Sequence, residues 1–304
     1  MNRREFSRNV LAGTLGMAAG LSPLTREPAF AKPSHAPAEI SMPFPLSIML
    51  WTVYRDLPFE HRLEKVAEAG FTAVELVGEF KKWSDTDFVA YNRKKRELGI
   101  VFDATSGLDR SLTNPSERDA FLAQLDGLML TADKLECPAI IVLSGNKVPE
   151  LSREAQHLSC VEGLKCAADA AAKRNITLLL ENIDPEENPK YFLTSVAEGF
   201  EIIREVDHPN VLFLYDFFHE QISEGNLIEK LEKNIDKVGL VHIADVPGRH
   251  EPGTGEINYA NIFRKLAALG YKNRAAMEFI PTGDPVASLR AAREYVIAAT
   301  SPMK

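Results

Sequence analysis

Four side chains that can bind a metal ion follow four short apolar segments of this sequence. They are Glu181, Asp216, His242 and Glu278, and the spacing between them is close to that of strand-helix units. In a (β/α)8 barrel the C-terminal ends of all strands meet at one face, so residues far apart in sequence become neighbours there. Two glutamates, an aspartate and an imidazole form an oxygen-rich set that suits a divalent cation. The pattern therefore predicts one metal site built by several strands.

The four side chains together are stronger evidence for a metal site than any one of them alone. A single carboxylate at a strand end is more often solvated than bound to a metal, and a lone histidine such as His242 is often a core residue with satisfied hydrogen bonds. Three carboxylates gathered at the mouth of a barrel would repel one another and have raised pKa values, whereas a divalent ion makes the cluster favourable. The set suits one Mn²⁺, Mg²⁺ or Co²⁺ ion.

Eight short apolar segments alternate with longer amphipathic segments along the chain. Nearly continuous apolar strands between helices predict a parallel sheet covered by helices. Eight units in about 250 residues favour a closed barrel over an open sheet, and no G-x-G-x-x-G follows the first strand. The fold prediction is a single α/β domain, a (β/α)8 TIM barrel over residues 46–304. Its predicted strands are 46–50, 73–77, 100–104, 139–143, 176–181, 211–216, 237–244 and 275–279.

Residues 1–31 have the pattern of an export signal. Arg3-Arg4 precedes an aromatic residue and a short apolar stretch, and Ala29-Phe30-Ala31 matches a small-x-small cleavage site. The stretch is shorter than the roughly 20 apolar residues that a membrane-spanning helix needs. The segment resembles a twin-arginine signal, which implies a periplasmic or secreted protein; a chance arginine pair on a disordered tail is the alternative. Residues 32–45, rich in Pro, Ser and Ala, are predicted to be a flexible lead-in.

The charge and the cysteines exclude several classes of protein. Removing residues 1–31, which hold four arginines and two glutamates, changes the formal net charge from −8 to −10. So acidic a surface repels phosphate backbones, and we therefore expect no nucleic-acid partner. The three cysteines have no C-x-x-C spacing, which indicates neither a disulfide framework nor a zinc finger. We expect all three to be small buried hydrophobic residues.

Two further segments lie close to the predicted ligands. His219 follows Asp216 by three residues, just past the strand end, where its imidazole could contact a bound substrate. A long turn-rich loop follows the seventh strand and carries Arg249 among its glycines. Such a loop can be a surface connector, but long loops after barrel strands commonly carry function.

Taken together, these segments resemble the hydroxypyruvate isomerase group of the xylose-isomerase-like barrel superfamily. That superfamily also includes tagatose and psicose 3-epimerases and endonuclease IV. The resemblance covers nearly all of the chain after residue 31, and its most specific part is Arg-His-Glu-Pro-Gly-Thr-Gly-Glu-Ile-Asn-Tyr at 249–259. The other matching segments are Leu180-Glu181-Asn182, Tyr215-Asp216-Phe217-Phe218-His219, Val241-His242-Ile243-Ala244 and Met277-Glu278-Phe279.

The resemblance implies roles for seven residues. The metal ligands would be Glu181, Asp216, His242 and Glu278. Glu181 and Glu278 would also be the acid/base pair. Substrate contacts are implied for His219, Arg249 and, by spacing alone, Glu187.

The resemblance implies an aldose-ketose isomerase of a small hydroxy-carbonyl substrate, such as hydroxypyruvate and tartronate semialdehyde, acting through a cis-enediolate. A 3-epimerase of free ketoses would use the same groups, and His242 resembles the epimerases because hydroxypyruvate isomerases often carry glutamine there. An exported barrel that binds a sugar without turnover is the non-enzyme alternative. A nuclease of the endonuclease IV type would need a multinuclear zinc site and a basic groove. Related barrels are often dimers or tetramers, which leaves a homo-oligomer open.

Overall fold

The computed structural model describes residues 42–302, which form a closed barrel of eight parallel strands in sequence order. The TIM-barrel prediction is therefore confirmed. Three of the eight strands, β2, β4 and β6, have the predicted bounds, and the other five differ by one or two residues at their ends. The strands are β1 (Leu46–Met49), β2 (Ala73–Val77), β3 (Val101–Ser106), β4 (Ala139–Leu143), β5 (Thr177–Glu181), β6 (Val211–Asp216), β7 (Val238–Ile243) and β8 (Arg274–Met277).

Helices surround the barrel and connect its strands. Two of them, α6 and α7, both lie between β6 and β7, where the sequence pattern indicated one helical segment. Short 3-10 helices supplement them at Leu50–Thr52, Glu79–Lys82, Pro115–Glu117 and Ile235–Lys237. The α-helices are α1 (Phe59–Glu68), α2 (Asp85–Glu97), α3 (Arg118–Leu135), α4 (Arg153–Lys173), α5 (Val196–Val206), α6 (Phe217–Ser223), α7 (Leu227–Lys233), α8 (Tyr259–Ala268) and α9 (Pro285–Thr300).

Several helix boundaries follow from capping residues. Ser84 accepts a hydrogen bond from the backbone N–H of Asp87, whose carboxylate accepts from Ser84 in return, so a capping box begins α2. Asn114 caps the short 3-10 helix that leads into α3. Gly270 follows α8 with φ +68°, a left-handed conformation that glycine adopts without steric cost.

The buried side chains of the strands form two layers. Outward-facing residues pack against the helices in the larger core, and a smaller cluster fills the barrel interior. Every strand except β2 contributes an apolar residue to this interior cluster. Its members are Met49, Ala104, Ala139, Ile141, Leu179, Leu214, Leu240 and Ala276.

The predicted signal at 1–31 lies outside the described residues, as do residues 32–41 of the predicted lead-in. Within 42–45, Phe44 is buried, and its ring meets those of Phe263 and Tyr271 at 6.4 and 6.2 Å. Packing on the barrel thus begins before β1. Across residues 42–302, no helix has both the length and the apolar character needed to cross a bilayer.

The cysteine prediction is correct for two of the three residues. Cys137 and Cys160 are buried, whereas Cys166 is exposed. Cys160 and Cys166 both lie on α4, whose buried face includes Cys160 and Leu164 but not Cys166. The prediction was wrong for Cys166 because six residues along a helix correspond to about 1.7 turns, which places the two side chains on different faces.

Two helical glycines test how the helices pack on the barrel. A Cβ at Gly199 of α5 would lie 2.3 Å from the ring of Phe213, whereas a Cβ at Gly127 of α3 would meet nothing within 4 Å. We predict that Gly199→Ala lowers the free energy of unfolding by about 1–3 kcal/mol, because it overpacks this contact. The control Gly127→Ala should raise it by about 0.5–1 kcal/mol, because alanine is the better helix former. Chemical denaturation measures both changes, and equal losses in the two variants would contradict this packing.

Candidate active site

The structure brings the four predicted metal ligands together at the C-terminal mouth of the barrel. Glu181 and Asp216 end β5 and β6, His242 is the penultimate residue of β7, and Glu278 directly follows β8. Strand alternation turns the imidazole of His242 inward, while its neighbours in sequence belong to the outer core. Each of the four side chains offers one ligand atom, and these atoms all lie within 4.8 Å of one another.

The atoms that face one another in this group are the ones a cation would satisfy. His242 Nδ1 lies 2.7 Å from Glu278 Oε2, 3.5 Å from Glu181 Oε1 and 3.7 Å from Asp216 Oδ2. Within the described part of the chain, Asp216 Oδ2, His242 Nδ1 and Glu278 Oε2 have no partner with hydrogen-bond geometry. Buried polar atoms without partners are rare and costly. The donor set therefore fits a divalent ion.

Burial and neighbouring charges shift the acidities of these groups in different directions. Burial raises the pKa of Glu181 above its ordinary value. Burial acts the same way on Asp216 and Glu278, but the nearby imidazoles and Arg249 outweigh it and hold the pKa of each carboxyl below its ordinary value. The pKa of His242 is raised because the carboxylates of Glu278 and Glu75 outweigh burial. A bound cation would further favour the carboxylate forms.

Asp216 has two functions, one for each oxygen of its carboxylate. Oδ1 accepts hydrogen bonds from the backbone N–H groups of Phe218 and His219 at 2.7 and 3.1 Å, which caps α6. Oδ2 is left facing the other ligands. The carboxylate that starts α6 therefore also fixes where His219, in the first turn of that helix, enters the site.

His219 is held between two carboxylates. Its Nδ1 lies 2.6 Å from Asp184 Oδ2, and its Nε2 lies 3.6 Å from Asp216 Oδ2. Burial lowers the pKa of His219, but the two aspartates outweigh burial and raise it to about 9. The raised pKa favours the imidazolium form, which can donate a hydrogen bond to an anionic oxygen.

Asp184, Glu187 and His219 form a second group of potential metal ligands. The Asp184 carboxylate already has partners: Oδ1 accepts from the backbone N–H groups of Glu186 and Glu187 at 2.8 and 2.9 Å, and Oδ2 contacts His219. Glu187 is bonded to Arg249. Because these contacts satisfy the group internally, it orders the loop after β5 and orients His219.

Arg249 reaches the metal-ligand group from the loop after β7. One guanidinium nitrogen lies 2.8 Å from Glu278 Oε2, and another donates to Glu187 Oε1 at 2.8 Å. The guanidinium carbon lies 4.7 Å from the centre of the Phe218 ring and 5.7 Å from that of Trp51. Arg249 is nearly buried, at 7% exposure. Its charge is therefore fixed beside the predicted acid/base pair.

The rest of this loop forms the frame that holds Arg249. Asp245 accepts hydrogen bonds from the backbone of Gly253 at 2.8 Å and of Ile257 at 3.0 Å, which closes the loop on its own first residue. A Cβ at Gly255 would lie 2.1 Å from the carbonyl oxygen of Val246, so only glycine fits there. The specific motif at 249–259 is thus explained by loop closure as much as by contacts in the site.

All seven predicted site residues lie in this one region, including Glu187, whose side chain is 44% exposed. Three residues that contact them were not predicted from the sequence. Trp51 donates to Glu278 Oε1 at 3.0 Å, Asp184 contacts His219, and Glu75 contacts His242 Nε2 at 3.0 Å. The only local signal for Glu75 was a single charge inside an apolar strand, and for Trp51 its place just after the first strand.

Comparison with known proteins places the chain in a family. The sequence profile described as Xylose isomerase-like TIM barrel matches residues 63–298. The chain belongs to this family. A 2-oxo-tetronate isomerase from Haemophilus influenzae is 32% identical over 81% of this chain and 97% of its own length. A hydroxypyruvate isomerase from Escherichia coli is 30% identical over 80% of this chain and 96% of its own length.

A solved structure shares the same architecture. It is an AP endonuclease, family 2, from Brucella melitensis, and it matches with a TM-score of 0.74 and 28% identity over 81% of this chain and 96% of that one. The relatives from Haemophilus influenzae and Escherichia coli are both named as isomerases. These names confirm the prediction of an isomerase.

We predict that the purified protein binds about one divalent ion per chain, because four ligands from four strands leave positions open for a substrate. Asp216→Ala and His242→Ala should each lose most of the ion, because either change removes a ligand. His157→Ala is the matched control, since His157 also lies between two carboxylates, Glu198 and Glu205, but on the outer helices. Elemental analysis is the measurement, and full occupancy in Asp216→Ala or His242→Ala would remove that residue from the ligand set.

Proposed function

We propose that this isomerase is a divalent-metal-dependent enzyme that interconverts an aldose and a ketose form of a small hydroxy-carbonyl compound through a cis-enediolate. The proposal is carried by the placement of two buried carboxylates, Glu181 and Glu278, beside the same imidazole nitrogen at 3.5 and 2.7 Å. Two such groups can remove a proton from one carbon and return a proton to the next.

The ligand group has the donors for one Mn²⁺, Mg²⁺ or Co²⁺ ion. When bound, the ion supplies Lewis-acid stabilisation of the negative charge that develops on substrate oxygens. The residues that would hold it are Glu181, Asp216, His242 and Glu278.

The two glutamates carry the proton transfers. One of them takes the proton from the hydroxyl-bearing carbon, and the electrons of that C–H bond form the carbon-carbon double bond of the enediolate. The other, which starts the cycle protonated, donates a proton to the former carbonyl carbon, while the hydroxyl proton passes to the former carbonyl oxygen, so the product is an isomer of the substrate. The first glutamate then loses its proton to solvent and the second regains one, which restores the starting state. General acid-base catalysis contributes on the order of 10²–10⁴-fold, so positioning and charge stabilisation supply the rest.

Four neighbouring side chains prepare these groups for the reaction. Trp51 holds Oε1 of Glu278 through its indole N–H at 3.0 Å, while Oε2 faces His242 and Arg249. Arg249 and His219 are the cations beside the pair, and both can donate to the remaining substrate oxygens. Glu187 fixes the guanidinium of Arg249 from the side that faces solvent.

The positive charges of Arg249 and His219 favour a small carboxylic acid as substrate. The named relatives act on hydroxypyruvate and 2-oxo-tetronate, according to their names, and the carboxylate of such a compound needs a positive partner. Arg249 and the imidazolium of His219 provide it.

The same experiments would reveal two alternatives, a 3-epimerase and a barrel that binds its ligand without turnover. A 3-epimerase would use the same glutamates but return the proton to the opposite face of the same carbon. A barrel that binds without turnover would tolerate loss of the acid/base pair. A nuclease, which the name of the Brucella protein suggests, is disfavoured because the chain after residue 31 has a net charge of −10 and because the second group of ligands is bonded internally.

Export of the protein by the twin-arginine route is also part of this proposal. Arg3-Arg4 and the cleavage pattern at Ala29-Phe30-Ala31 support it. Export after folding suits an enzyme whose metal site is completed by four separate strands, because the ion can be bound before the protein leaves the cytoplasm. The proposed location is the periplasm or the exterior of the cell.

We predict that Glu181→Gln and Glu278→Gln each retain most of the metal but lose turnover by at least about 10²-fold, because glutamine keeps an oxygen ligand and removes the base. Initial rates on hydroxypyruvate, with elemental analysis of the same samples, measure both quantities. Glu186→Gln, an exposed glutamate of the loop after β5, is the matched control and should keep normal turnover. Metal-replete Gln variants at both positions with nearly normal rates would exclude this mechanism.

We predict that changing Arg3 and Arg4 together to lysine retains the precursor in the cytoplasm, because the signal is recognised by a receptor and not through charge alone. Fractionation of cells that express the two forms is the measurement. Normal export of the Lys-Lys form would point to a different route.

A further inference from the structure

One fully buried carboxylate of the barrel interior has no place in the proposed mechanism. Glu75 lies on β2 in register with Met49 on one side and Ala104 on the other, and both of these neighbours belong to the apolar interior cluster. Seven strands contribute apolar residues to that cluster. At the corresponding position β2 carries this glutamate, which is 0% exposed. The chain therefore keeps a carboxylate where packing alone would favour a hydrophobic side chain.

Among the described residues, the single side-chain partner of Glu75 is His242, one of the proposed metal ligands. Its Oε2 lies 3.0 Å from His242 Nε2, and its Oε1 has no hydrogen-bond partner among residues 42–302. Burying a carboxylate with only one partner costs stability, and replacing such a group by a hydrophobic one is often neutral or stabilising. A benefit other than folding must therefore explain the residue.

We propose that Glu75 is a positioning residue that fixes the orientation and tautomer of His242, so that Nε2 carries the proton and Nδ1 presents its lone pair to the metal. This proposal rests on the metal site of the proposed function. Metal-binding histidines usually donate their other N–H to a carboxylate or carbonyl, and this contact orients the ring and raises its basicity.

The geometry shows what Glu75 prevents. His242 Nδ1 lies 2.7 Å from Glu278 Oε2. Without an acceptor at Nε2, the tautomer protonated at Nδ1 would donate to Glu278 and close the space that the metal needs. The Glu75 carboxylate on the far side of the ring disfavours the tautomer protonated at Nδ1, because it accepts a hydrogen bond from Nε2 and so holds the single proton of the neutral imidazole there.

A second buried acid of the barrel provides a matched control. Asp103 on β3 is 7% exposed and accepts from the Ser47 hydroxyl at 2.7 Å, with the guanidinium of Arg274 at 3.4 Å. It makes no hydrogen bond or ion pair with His242 in the described chain. Loss of Asp103 therefore tests the general effect of removing a buried charge from this barrel.

The experiment is calorimetric titration of the metal-free full-length protein with Mn²⁺. Glu75→Leu should weaken Mn²⁺ binding by about 10–100-fold, the effect expected when such a partner of a ligand is lost. Glu75→Gln should stay within a few-fold of the parent, because its amide oxygen still accepts from Nε2. Asp103→Asn should also bind nearly normally. Weakening in Glu75→Leu with no rescue in Glu75→Gln, or equal weakening in Asp103→Asn, would overturn the proposal.

The stability of the metal-free protein separates positioning from packing. We expect the melting temperature of metal-free Glu75→Leu to equal or exceed that of the parent while its metal affinity falls. A fall in both would indicate a structural role and contradict the proposal. If wild-type protein binds no Mn²⁺, the metal site of the proposed function fails as well; if it binds Mn²⁺ and Glu75→Leu binds equally well, only this proposal fails.

A spectroscopic measurement on the parent protein does not depend on whether any Glu75 variant folds. Long-range ¹H–¹⁵N correlation spectra of histidine-labelled, Zn²⁺-loaded protein report which ring nitrogen of His242 carries the proton. The signal is assigned by its loss in His242→Gln. A proton on Nε2 with Nδ1 bound to Zn²⁺ supports the proposal, and the opposite arrangement overturns it.

Discussion

Mutual repulsion between buried carboxylates is the constraint on which the active-site end of this barrel depends. Three acidic side chains reach the same space as His242, and three of the facing atoms lack hydrogen-bond partners within residues 42–302. Two cations, Arg249 and the imidazolium of His219, offset part of the negative charge. A divalent ion would offset the rest, and the same cluster would then be both a binding site and an electrophilic centre.

The strand ends of the barrel position some residues of this site, and the loops position the others. The strand ends fix the four ligands, because adjacent parallel strands hold them in register, as Asp216 and His242 are held across β6 and β7. The loops after β5 and β7 deliver Glu187 and Arg249, and Asp245 closes the second loop on itself. Strand register thus places the proposed metal ligands, while loop closure places Arg249 and Glu187, the proposed substrate contacts.

Periodicity in the sequence predicts the strands and their ends, whereas contacts across the barrel leave no local signal. Alternating apolar segments located all eight strands, and strand ends located Glu181, Asp216 and Glu278. The pairing of Glu75 with His242 spans 167 positions and depends on barrel closure, which no local pattern records. The exposure of Cys166 depends on which face of α4 it occupies. The division into α6 and α7 depends on a short non-helical segment between them, and composition alone reveals neither feature.

Incorporation of solvent deuterium is the most direct test of the claim that one of Glu181 and Glu278 removes a proton from the substrate and the other returns a proton to it. The metal-loaded protein is incubated with hydroxypyruvate in D₂O and the product is followed by NMR. Because separate carboxyls remove and return the proton, the product should be tartronate semialdehyde with solvent deuterium on the former carbonyl carbon. An isomerised product without solvent deuterium would contradict transfer through two groups. The absence of both exchange and product, with epimerisation of a free ketose at C3 instead, would contradict the isomerase itself.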